Sequence, residues 1–162
     1  MRLFILFLFT GFLAVASSSV LPEIRTLYLK AKKDETSCRR IIDIGIPTES
    51  QEVVKGYKAC ATIIMAEHTF NPSKKLSYFN KGKAELDNLV QSNINNPELR
   101  FLRFTIQSNA PSFLGYNKSI DEDKSFLLKT LPTIKDSGLK KMIADYLRKS
   151  SELSATEKQA IP

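Results

Sequence analysis

Proline and asparagine punctuate this chain at intervals that suit helices. Pro22, Asn71-Pro72 and Asn96-Pro97 each precede apolar residues at three- and four-residue spacing. Proline is tolerated in a helix's first turn, where its missing N–H has no intrahelical partner anyway. An asparagine just before it caps the orphan N–H groups. The stripes that follow are one-sided. The first helix carries Leu21, Ile24, Leu27, Tyr28 and Ala31, and a short second carries Cys38, Ile41 and Ile42 until Gly45 and Pro47 end it. Thr48 and Gln51 have the spacing of a capping box for a third helix bearing Val53, Tyr57, Cys60, Ala61, Ile64 and His68. A fourth carries Leu76, Phe79, Leu86, Leu89 and Val90, with Lys83 as its polar exception and Gly82 permitting a close helix crossing. After a turn at Asn93 to Asn96, a fifth helix runs through Leu99, Leu102 and Ile106. Asn109-Ala110-Pro111 breaks it, because a residue before proline resists helical geometry. Ser119 and Glu122 suggest another capping box for a sixth helix, which Pro132 stops; Thr133 and Asp136 suit the start of a seventh. No run alternates with a strand's period; the nearest competitor is Ile41 to Ile46. The expected fold is all-α, six or seven helices in antiparallel hairpins forming one domain over 17–150, with a frayed tail at 151–162.

The amino terminus reads as a leader. Arg2 precedes a largely apolar run from Leu3 to Val15 that closes on Ala14-Val15-Ala16, the pattern of a secretory signal peptide over residues 1–16. The run falls short of the roughly 20 residues that a membrane span needs, although an uncleaved anchor stays open. Cleavage after Ala16 would put Ser17 first and the remainder in the periplasm or outside the cell. The formal charge is +7, and the lysines are spread from Lys30 to Lys158 among acidic residues, as on a solvated surface. With no dense basic block and no arginine–aromatic recognition pattern, nucleic acid is not an expected partner. Contact with a membrane is expected only through export or weak surface charge. Two cysteines, Cys38 and Cys60, form either a disulfide or a pair of buried thiols. The bridge would close a loop of about 23 residues, worth roughly 3 kcal/mol in the chain-entropy model.

The stretch Phe79 to Phe104 resembles part of a tetratricopeptide repeat. With Ile94 at the place of that motif's terminal proline, Gly82 falls on its small residue and Leu86 and Leu89 on the next apolar positions. Asn95-Asn96-Pro97-Glu98 is similar to its turn into the next repeat. Upstream, Ala66, Thr69 and Phe70 depart from the motif, and no second copy recurs at a fixed period. The resemblance implies helix-hairpin packing and a concave binding surface, and it carries no catalytic residue. The whole chain is also similar to a type of small exported bacterial protein, on Gly56-Tyr57-Lys58, Asn71-Pro72, Phe79-Asn80-Lys81-Gly82 and Glu98 to Phe104. That similarity supplies no activity.

Chemistry has few footholds. His68 stands alone, and one histidine with two distant cysteines makes no zinc site. Asp121, Glu122 and Asp123 lack the calcium-loop spacing and suit a helix N-terminus. Neither a catalytic residue nor a metal or cofactor is expected. The densest segment is Glu98 to Asp123. Arg100, Arg103 and Gln107 share one face of a helix that is apolar on most other sides, and such groups need partners. Either Glu98 or the acidic cluster pairs with them, or they line a groove for a ligand or peptide with Asn109, Tyr116 and Asn117 at its rim. Asn117-Lys118-Ser119 is also a glycosylation sequon. The expected function is a non-enzymatic, exported binding or protein-interaction module, tetratricopeptide-like. A small exported hydrolase and an envelope-associated structural protein with a basic surface are the alternatives.

Overall fold

A computed structural model describes residues 20–162; the expected leader, residues 1–16, lies outside them. Eight α-helices follow in order: α1 (Leu21–Ala31), α2 (Glu35–Asp43), α3 (Gln51–Ile64), α4 (Pro72–Ser92), α5 (Pro97–Asn109), α6 (Ile120–Thr130), α7 (Ser137–Lys149) and α8 (Ala155–Gln159). Short 3-10 turns at Thr48–Ser50, Ser112–Leu114 and Leu131–Thr133 join them, and no strand occurs among the described residues. The fold is therefore all-α, one helix longer than expected. The extra one is α8, in the stretch expected to fray. Ser154 and Glu157 make a reciprocal capping box there, and Leu153 and Ile161 are buried on either side of it. Two buried apolar anchors hold a five-residue helix that would not persist alone.

Several starts form as the residues dictate. The Asn71 side chain accepts from the Lys74 N–H, Asn96 from those of Glu98 and Leu99, and Asp136 from that of Leu139. Asp34 caps α2 in the same way through Thr36 and Ser37. Two expected capping boxes are not made. Thr48 opens a 3-10 turn instead, so α3 starts at Gln51 without a side-chain cap, and Ser119 precedes α6 without one.

The core is built around α3 and α5. α3 packs most extensively on α4, and also meets α1, α2 and α5; α5 meets α3, α4 and α6. Phe101, Leu102 and Phe104 of α5 are wholly buried, as is Tyr57 of α3. The α3–α4 crossing is close because Gly82 has no side chain. A Cβ there would lie 2.5 Å from the Ala59 carbonyl oxygen and 2.7 Å from Cγ1 of Ile63. Lys83 leaves the apolar stripe to face Asp87 at 3.4 Å and the Tyr116 ring at 5.1 Å.

Candidate functional site

The charged face of α5 comes first, because the sequence singles it out. Arg100 and Arg103 lie one turn apart, and the first turn of α6 brings its acidic residues against them. Arg103 donates through Nε and Nη2 to both carboxylate oxygens of Asp123, at 2.7 and 2.8 Å. Arg100 pairs with Glu122 at 2.9 Å, contacts Asp123, donates to the Glu122 backbone carbonyl at 3.2 Å and lies 4.6 Å above the Phe126 ring. Its Nε is ion-paired to Asp123 without the alignment of a hydrogen bond. Asp123 is 0% exposed. Burial pushes its carboxyl up and the two guanidiniums pull it back in part. Burial works against the Arg103 cation too, but the Asp123 hydrogen bond and charge outweigh it and hold that guanidinium above its ordinary value. Of the two readings left open by the sequence, the ion-pair network is the one present, and α6 covers the face.

The other residues of the expected groove are scattered. Tyr116 is buried and donates to Asp87 at 2.6 Å, and burial, then that carboxylate, push its phenol up. Asn109 donates to the Thr105 carbonyl and to the Tyr146 hydroxyl, both at 2.8 Å. Gln107 is buried, with its Oε1 lacking a hydrogen-bond partner. Arg100, Arg103, Gln107, Asn109 and Tyr116 therefore do not converge on one opening.

Cys38 and Cys60 are free, buried thiols, so of the two alternatives the disulfide is the one not made. Each has its own buried setting. Cys38 of α2 donates to the Ala31 carbonyl at 3.3 Å, whereas Cys60 of α3 sits against the Tyr28 side chain of α1. Burial pushes the Cys38 thiol up to about 12 and raises Cys60 as well, so neither is a ready thiolate nucleophile. His68 lies in the turn after α3, not on the helix, and its Nε2 meets the same Ala31 carbonyl at 2.8 Å. Since a carbonyl only accepts, Nε2 carries the proton.

A second buried network was not visible in the sequence. Arg25 of α1 donates through Nε and Nη2 to the two oxygens of Glu98, at 2.7 and 2.8 Å, and through Nη1 to Asp136 at 2.8 Å. The Tyr57 hydroxyl donates to Glu98 at 2.7 Å. Four elements thus meet at one ion cluster. The available signal was Arg25 itself, set beside Ile24 on a helix whose other inward positions are apolar.

The open site lies at the other end of α5. α4 has 21 residues and α5 only 13, so at 1.5 Å per residue α4 is about 12 Å longer. The proline break at Pro111 stops α5 early, and the chain turns away through Ser112–Leu114. The first turns of α4 are left flanked by the end of α3 and by that loop. Between them is a cleft of about 470 Å³, within the range of small-molecule sites. Its floor is Ile63, Phe79 and Ile106, each 7% exposed. Its lips hold Leu76 at 53% and Phe113 at 84% exposure. The polar side chains lining it are Glu67, Lys75 and Asn109. A larger hollow of about 650 Å³ between α1 and α7 ends on Arg25 and Asp136, which are already paired with each other. Among the described residues no cluster of three or more His, Cys, Asp or Glu is placed to hold a metal ion, and no helix is long and apolar enough to cross a membrane. Compared with models of known protein families, with curated proteins and with solved structures, the chain matches none.

Proposed function

We propose that this chain is a non-enzymatic binding module that acts after export and takes an apolar ligand into the cleft between α3, α4 and the end of α5. The observation that carries the reading is the exposure of Leu76 and Phe113 on the lips of a hollow whose floor is apolar. Covering an exposed side chain of that size stabilises a complex by about 1–3 kcal/mol. The leader-like residues 3–15 support a role outside the cytosol. The tetratricopeptide-like stretch supports a hairpin scaffold, because in such scaffolds the helices are rigid and the exposed face binds.

The test uses N-phenyl-1-naphthylamine, a neutral apolar dye whose fluorescence rises on leaving water. It should bind with one-to-one stoichiometry. Leu76→Glu should weaken it at least about tenfold, the effect of a charge set in an apolar wall. Leu29→Glu is the control, since Leu29 is also an exposed leucine, on α1 and outside this cleft. Absence of dye binding, or equal binding by Leu76→Glu and the unaltered chain, would defeat the proposal.

A further inference from the structure

The polar atoms on the cleft's lips are not equivalent. Glu67 faces Lys32 at 4.0 Å. The Asn109 amide already serves Thr105, Tyr146 and, through its oxygen, Lys32 at 3.5 Å. The Lys75 ammonium has no ion-pair or hydrogen-bond partner among the described residues. It projects from the exposed first turns of α4, one position before Leu76. From Pro72 to Lys83 that helix carries Lys74, Lys75, Lys81 and Lys83 and no acid. At the mouth, Glu67 is answered by Lys32, and Lys75 is left as an unpaired cation above an apolar floor. The helix's own N-terminus at Pro72 adds the same sign.

Size narrows the occupant. A stable protein partner covers on the order of 800 Å² per side, more than a hollow confined to the end of α3, the first two turns of α4, the end of α5 and one loop offers. A volume of about 470 Å³ instead suits a single small ligand. We infer that the cleft takes a single-chain amphiphile with an anionic head, a fatty carboxylate. Its tail lies over Phe79 and Ile106 and its carboxylate meets Lys75. The inference rests on the binding-module reading and adds the sign of the head group and the form of the tail.

Charge and apolarity can be separated by displacing N-phenyl-1-naphthylamine from the full chain with three soluble amphiphiles of one tail length, each below its micelle concentration. These are dodecanoate, dodecyl maltoside and dodecyltrimethylammonium. Dodecanoate should displace the dye at a concentration about five- to tenfold lower than the trimethylammonium compound, as an attractive contact replaces a repulsive one at an exposed cation. The preference should shrink as salt rises. Lys75→Glu should reverse it while leaving the maltoside unchanged. Lys75 is solvent-exposed and unpaired, so this variant folds as the parent does, and circular dichroism checks that. Equal displacement by all three amphiphiles overturns the inference and leaves the binding module standing. A preference for dodecanoate that Lys75→Glu does not alter also overturns it. Binding to vesicles of phosphatidylcholine and phosphatidylglycerol without displacement by monomeric dodecanoate overturns it too, and makes the same patch a membrane-docking surface. If the dye itself fails to bind, the underlying proposal falls with it.

Discussion

The two ends of α5 face opposite problems. At its start, Glu98, Arg100 and Arg103 are charged and enclosed, and every charge meets its complement within the chain: Arg25, Glu122 and Asp123. At its end, Ile106 and Ala110 are apolar, and the hollow they border opens to water. Buried charge without a partner costs several kcal/mol, so it must be neutralised from within for the chain to fold. Exposed apolar surface costs far less, so a chain can keep it in reserve for something outside. The conspicuous charges of α5 are thus a fold device, and the quieter end of the helix is where a ligand is expected.

The sharpest way to break that contrast is Asp123→Ala. It strands Arg100 and Arg103 against α6 with one carboxylate fewer, and Asp123 itself is wholly buried. Removing one partner of a buried pair costs about 3–5 kcal/mol. Urea unfolding followed by circular dichroism should show that loss, with little change in dye affinity at the cleft. A cost below about 1 kcal/mol, of the size found for exposed pairs, would mean that the arginines are open to solvent and that the groove reading should return.

A smaller effect tests what shapes the cleft. α3 and α4 touch at Gly82, and Ile63, which meets Gly82 there, also lines the cleft with Leu76 and Phe79. Gly82→Ala gains up to about 1 kcal/mol of helix propensity, but its methyl meets the Ala59 carbonyl and the Ile63 backbone nitrogen, which cannot rotate away. Overpacking of this kind costs about 1–3 kcal/mol, so a net loss of up to about 2 kcal/mol and altered dye binding are expected. At Gly45 an added Cβ meets nothing within 4 Å, and Gly45→Ala should stay within about 0.5 kcal/mol of the parent. Equal outcomes at the two glycines would show that the crossing is not tight.

Much of this was legible because it is local. Asn71, Asn96 and Asp136 cap where they stand, and α5 is central because it is apolar on most sides. Gly82 sits one residue from the polar exception in its stripe. One-residue errors of phase arose where two apolar residues adjoin: Val54 and Ile63 are buried, whereas Val53 and Ile64 are less so. The Arg25–Glu98 contact joins residues 73 apart, and nothing in either segment specifies the other. Cys38 and Cys60 could be bridged or buried as free thiols on sequence grounds, because oxidation logic is silent about where side chains on neighbouring helices point. Leu76 is the instructive case. Periodicity placed it on an apolar face correctly, but whether a neighbour covers that face depends on how far α5 reaches back along α4. The punctuation at Pro72, Pro97 and Pro111 already held that mismatch of lengths.

The smallest expected effect concerns the second charge cluster and depends on pH. The Asp136 carboxyl is held below its ordinary value, first by the Leu139 N–H and then by Arg25. A carboxylate with a depressed folded pKa binds protons more weakly in the native state than in the unfolded one. Its contribution is complete above the unfolded value and is lost as pH falls through the folded one. Asp136→Asn separates charge from capping, because asparagine caps α7 about as well. At neutral pH the variant should be slightly less stable than the parent, the side chain being half-exposed at 49% and its pairing screened accordingly. As pH falls below the ordinary carboxylate range the parent should lose this advantage, and the two urea midpoints should converge. Convergence assigns the advantage to the charge of Asp136, which acts on the Leu139 N–H and on Arg25 together. A gap that persists in acid would assign the effect to the cap and leave Arg25 held by Glu98 alone.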